Sequence, residues 1–96
     1  MEIDRIITIS SAHVSRETYE WLTEEADKQD AQIPVVVYAK SAYGFFIYIP
    51  KDIRSKHKDI PADLLDCVLF ADRNDCRWLC LDRDGEMSDD LITYNW

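Results

Sequence analysis

The chain is poor in the residues that interrupt regular structure, with two glycines and three prolines in 96 residues. That scarcity excludes collagen-like, linker-like and broadly disordered behaviour. Long apolar runs are also missing: the longest are five residues each, as at 35–39 and 45–49, against about 18 for a helix that crosses a bilayer. Basic residues are outnumbered by acids, 11 to 19, leaving a formal charge of −8. Such a surface repels phosphate backbones, so no direct nucleic-acid partner is expected. The three cysteines are an odd number, which argues against a disulfide framework and for a reduced thiol environment. Met1-Glu2-Ile3-Asp4-Arg5 lacks the basic and apolar stretches of a secretory signal. The expectation is a cytoplasmic protein without a membrane partner.

What is present suffices for one core. Hydrophobic residues make up 47% and charged residues 31%, and a chain of this length folds as a single domain, residues 1–96, rather than as two. Ile6-Ile7-Thr8-Ile9 is a β-branched run and predicts a first strand. Ser15 is placed to cap a helix from Arg16 to about Gln29, with Val14 and Tyr19 at the two positions of a hydrophobic staple. Tyr19, Leu22 and Ala26 give that helix an apolar stripe, and Glu17, Glu20, Glu24 and Asp27 fall on its wet side. Residues 33–39 and 45–49 predict two strands joined through Gly44 into a hairpin, and residues 51–58, rich in lysine and arginine, predict an exposed loop. A second helix starts at Pro61 and stops at Asn74-Asp75, followed by a fourth strand over 76–81, a turn at Asp84-Gly85 and a closing segment, 91–96. The order β-α-β-β-α-β predicts an α+β split β-α-β (ferredoxin-like) sandwich: a four-stranded antiparallel sheet, strands one and three central, with both helices on one face.

Alternation along the strands sorts their side chains into two sets. Val35, Val37, Phe45, Ile47, Ile49, Leu79 and Leu81 share one side, and Tyr38, Phe46, Tyr48 and Trp78 share the other. The aliphatic side suits the helix-covered face. The aromatic side is then left where a one-sided sheet ordinarily carries polar residues, and it calls for a cover: the segment 91–96 folding back, a second copy of the chain, or another protein.

Candidate chemistry is thin. On one strand Cys76 and Cys80 would stand about 13 Å apart, too far to share a zinc ion, so these thiols and Cys67 read as buried structural groups. Asp82, Asp84, Glu86, Asp89 and Asp90 crowd a turn, but its glycine occupies the fourth place and Thr93 stands where a calcium loop needs a twelfth-place glutamate. No metal and no cofactor is expected. Ser11 and His13, just past a strand end, are the candidate nucleophile and base of a small hydrolase or transferase, with Asp82 or Asp84 as orienting acid. The plainer alternative has the serines satisfying loop amides and His13 packing at the helix start. His57 has no visible acid or nucleophile at useful spacing, and no glycine-rich phosphate cradle exists.

The charge is uneven. Residues 51–58 carry one acid and four bases, whereas 59–96 carry ten acids and three bases. Asp63, Asp66, Asp72 and Asp75 lie on or beside the second helix, where carboxylates can engage the basic groove of a nucleic-acid-handling protein.

Three stretches carry a resemblance. Ile9-Ser10-Ser11-Ala12-His13-Val14-Ser15-Arg16-Glu17-Thr18 is one; Val35-Val36-Val37-Tyr38 with Tyr43-Gly44-Phe45-Phe46-Ile47-Tyr48-Ile49-Pro50 is the second; Trp78-Leu79-Cys80-Leu81-Asp82-Arg83-Asp84-Gly85 with Thr93-Tyr94-Asn95-Trp96 is the third. Together they resemble a family of short bacterial proteins of unknown function, associated with plasmids, prophages and bacterial genomes. The resemblance implies a mobile-element setting and no established activity. The leading expectation is a small acidic protein-binding module, such as an element-encoded inhibitor of a host defence or restriction protein. Partner contacts are expected from Tyr38, Phe46, Tyr48, Trp78, Asp63, Asp66, Asp72 and Asp75. The small enzyme and a structural homodimer are the alternatives.

Overall fold

The computed structural model describes residues 1–28, 35–55 and 59–96. Among these, the elements run β1 (Ile6–Ser10), α1 (Arg16–Asp27), β2 (Val36–Lys40), β3 (Gly44–Tyr48), α2 (Ala62–Arg73) and β4 (Trp78–Asp82), with a 3-10 turn, Ser11–His13, between β1 and α1. The α+β class and the element order agree with the sequence. The expected helix end at Gln29, the start of the second strand at Ile33-Pro34, and His57 in the basic loop lie outside the described residues.

The sheet itself departs from expectation. Its order is β1-β4-β3-β2, with β1 parallel to β4 and the other two pairs antiparallel. The sheet is therefore mixed rather than antiparallel, and β3 and β4, not strands one and three, are central. The reason lies in burial. A strand covered on both faces and both edges belongs in the middle of a sheet, and Leu79, Cys80 and Leu81 of β4 are all 1% exposed or less. In β1, by contrast, Ile6 is half exposed and Thr8 is exposed, which an edge tolerates. The Arg5 carbonyl seeds the parallel pair by accepting from the backbone N–H of Arg77 at 3.1 Å and of Trp78 at 3.2 Å.

Local chemistry sets the helix ends. Ser15 Oγ accepts from the Thr18 N–H at 3.2 Å, satisfying one of the free donors of α1. Val14 is fully buried and Tyr19 packs on the same core, as a staple requires. α2 opens behind Pro61, whose missing N–H costs nothing there, and closes at Asn74, whose side-chain amide donates to the Phe70 carbonyl at 2.8 Å.

One hydrophobic cluster joins the two helices to one side of the sheet. Leu22 of α1 and Leu64, Val68 and Ala71 of α2 meet Ile9, Val37, Ile47 and Leu79 from the strands. Burying each large side chain contributes about 1.5–3 kcal/mol. The loop after β3 was expected to be exposed along its length, but Ile53 is fully buried in this cluster. A single apolar side chain anchors the loop, while Lys51 and Arg54 stay outside.

Gly44 is fixed by a close approach: a Cβ there would lie 1.7 Å from the Leu81 carbonyl oxygen of β4. Two backbones meet where no side chain fits. Gly44→Ala is expected to cost at least about 2 kcal/mol, read as a fall of roughly 10 °C in thermal midpoint; an unchanged midpoint contradicts the pairing of β3 with β4 in this register.

Candidate functional site

The register shows what stands on the side of the sheet away from the helices. Ile6, Trp78, Tyr48 and Val36 form one cross-strand row, and Thr8, Cys80, Phe46 and Tyr38 the next. The four aromatic residues singled out by alternation thus share one face. Their rings associate: Tyr48 meets Trp78 edge-on at 5.2 Å between centroids, and Tyr38 leans toward Trp78 at 6.1 Å, separations at which ring pairs attract. Asp4, Ile6, Tyr38, Phe46 and Trp78 line a shallow groove of about 450 Å³. Tyr38 remains 54% exposed and Ile6 50%.

The third row is polar. Lys40, Gly44 and Asp82 stand side by side, and Gly44, lacking a side chain, leaves Lys40 room to reach across β3 and pair with Asp82. The pair holds the Asp82 carboxyl below its usual range and raises the Lys40 ammonium above its own. Lys40 Nζ also lies 5.6 Å from the centre of the Phe46 ring. The face is an apolar patch with a charged rim, the composition of a contact surface.

The C-terminal segment does not cover it. His13 is 2% exposed; its Nδ1–H donates to the Ile92 carbonyl at 2.8 Å and its Nε2 accepts from the Ser88 N–H at 2.9 Å. The Tyr94 N–H donates to the Ala12 carbonyl at 2.7 Å. The Trp96 indole N–H donates to the Val14 carbonyl at 2.9 Å, and its ring lies 5.2 Å from that of Tyr19. These contacts hold the segment over the 3-10 turn and the start of α1. Among the described residues, none of its hydrogen bonds or ring contacts reaches the aromatic face.

The same geometry engages the His13 ring. Both ring nitrogens are bonded to backbone, which fixes one neutral tautomer, and Ser11 is 6% exposed. His13 has no ring nitrogen left to take a proton from Ser11. Asp82 is engaged with Lys40, and its other oxygen accepts from the Asp84 N–H at 2.8 Å. Among the described residues no group of three or more His, Cys, Asp or Glu side chains converges as a metal would require. All three thiols are buried, and burial pushes Cys67 up to about 12.

The four carboxylates on or beside α2 divide. Asp63 turns inward: its oxygens accept from the Ser15 N–H at 2.7 Å and the Thr18 hydroxyl at 2.6 Å, so a residue of α2 completes the cap of α1. Burial disfavours its charge, but these bonds outweigh it and hold the carboxyl below the usual range. Asp72 is bound by Arg77 and by Arg54 Nε at 2.7 Å, with Arg77 foremost in lowering its pKa. Asp66 and Asp75 are exposed. Asp4 and Ile6 were not anticipated as part of the face, although the alternation of Ile6 with Ile7 carried the signal for Ile6.

A family model, the family of unknown function DUF5983, C-terminal domain, matches residues 6–96. The chain belongs to this family. The match spans all four strands and both helices, so the aromatic face and the His13 clamp both fall within the DUF5983 region. No curated protein matches the chain, and neither does any solved structure.

Two outcomes follow from the clamp and the shared cap. His13→Ala is expected to speed amide exchange at Tyr94 by tenfold or more, with Leu79 unaffected, as the segment loses bonds worth about 1 kcal/mol each; equal exchange at Tyr94 refutes the clamp. The folded-state pKa of Asp63 lies below the ordinary aspartate value of 3.8, so its stabilisation is present above that value and disappears as pH falls through the folded pKa. Asp63→Asn is expected to lower stability by about 1–2 kcal/mol at pH 7, and urea unfolding should show the gap from the native chain closing below about pH 4.

Proposed function

We propose that this protein is a small acidic binding module that docks on another protein through the aromatic face of its sheet. The observation that carries the reading is the placement of segment 91–96 on the helix side, which leaves Tyr38, Phe46, Tyr48 and Trp78 without a cover from that segment. Tyr38 is half exposed and Phe46, Tyr48 and Trp78 are partly buried beside it, and aromatic side chains held on a sheet supply large contact area at low entropy cost and dominate interface energies.

The chain's charge of −8 favours a basic partner and speeds the encounter at low salt. Of the acids first considered, Asp66 and Asp75 are free to contribute, whereas Asp63 and Asp72 serve the fold. A partner that handles nucleic acid and carries a basic groove fits this pattern. The mobile-element setting implied by the resemblance makes an inhibitor of a host defence or restriction protein the form of the proposal.

The test is affinity capture from a bacterial lysate with the native chain and Tyr38→Glu as parallel baits, followed by mass spectrometry and by light scattering on the chain alone. A partner held by the native chain and lost from Tyr38→Glu, with binding that slows as salt rises, supports the proposal. Capture indifferent to the substitution contradicts it, and so does a stable homodimer that Tyr38→Glu dissociates.

A further inference from the structure

We propose that the groove lined by Asp4, Ile6, Tyr38, Phe46 and Trp78 is a cation-binding site that seats an arginine side chain of the partner; this rests on the protein-docking reading above. Ring faces carry partial negative charge and attract cations placed over them within about 6 Å. Three of the five lining residues are aromatic, and the one that is charged at neutral pH is a carboxylate.

Asp4 is exposed and has no ion-pair partner among the described residues, and Lys40, the cation of the third row on this face, is committed to Asp82. An apolar side chain in the groove would gain ring contact but leave Asp4 unanswered. A guanidinium satisfies both, its flat face lying on the rings and its N–H groups toward the carboxylate. The chain's own cations show that rings on and beside this face accept such neighbours: Lys40 Nζ is 5.6 Å from the Phe46 centroid, and the Arg83 guanidinium carbon is 4.7 Å from that of Tyr43. The groove is wide and shallow, about 450 Å³, which suits stacking of a planar group better than enclosure of a compact, strongly hydrated ammonium.

The probe is a glycine-spaced arginine peptide, titrated into the nitrogen-labelled full chain beside the same peptide with citrulline for arginine and a third with phenylalanine. The indole N–H signals of Trp21, Trp78 and Trp96 are followed by NMR. The expected result is a saturable shift at Trp78, with arginine binding about fivefold tighter than uncharged, isosteric citrulline. Asp4→Asn should narrow that ratio, and Tyr38→Leu should weaken arginine binding while signals away from the aromatic face stay in place, because Tyr38 is mostly outside the core. Equal affinity for arginine and citrulline overturns the assignment, as does tighter binding of the phenylalanine peptide or a shift confined to Trp21 or Trp96. If the arginine peptide fails while partner capture still depends on Tyr38, only the cation assignment falls. If it binds as expected while no face-dependent partner is found, the groove stands as a cation site and the docking function falls.

Discussion

Between the end of β1 and the start of α1 the chain makes a short 3-10 turn, and the C-terminal segment is tied to that turn by backbone groups and one imidazole. His13 reaches both Ser88 and Ile92, Ala12 takes the Tyr94 N–H, and Val14 takes the Trp96 indole. A buried imidazole with both nitrogens satisfied is expensive to disrupt, because breaking either bond strands a polar group away from water. The turn therefore decides which side of the molecule the segment occupies, and that side is not the aromatic face.

The other polar side chains divide in a parallel way. Asp63 links the two helices by capping α1 from α2, and Asp72 gathers Arg77 and Arg54 so that the loop after β3 is held to α2. These carboxylates stabilise the helix layer. On the opposite side of the sheet, Lys40 and Asp82 close off the polar row, leaving Asp4 as the carboxylate beside the rings. Net acidity thus combines internal pairs with a smaller set of carboxylates available to a partner.

Much of the face was legible in the sequence because strand periodicity is strict. Phe45 and Phe46, or Leu79 and Cys80, must point to opposite sides whatever the neighbouring strands are. Strand order was not legible, since the same two-sided pattern serves a strand in the centre or at an edge. Only the near-total burial of Leu79, Cys80 and Leu81 marks β4 as central, and with it the approach of Ile6 and Asp4 to Trp78. The cap at Ser15 was legible from local spacing, but its completion by Asp63 was not, because helix periodicity reports on one element and says nothing of a neighbour 48 residues away. The destination of segment 91–96 was hidden for a related reason: its partners are mostly backbone atoms, which leave no trace in residue type.

The central claim, that the C-terminal segment lies on the helix side and not on the aromatic face, is tested most directly by proton–proton distances in solution. Nuclear Overhauser contacts from the Trp96 indole to Val14 and Tyr19, with none from residues 91–96 to Tyr38 or Trp78, are the predicted result. Contacts from Ile92 or Trp96 to the Tyr38, Phe46 or Trp78 rings would contradict the account.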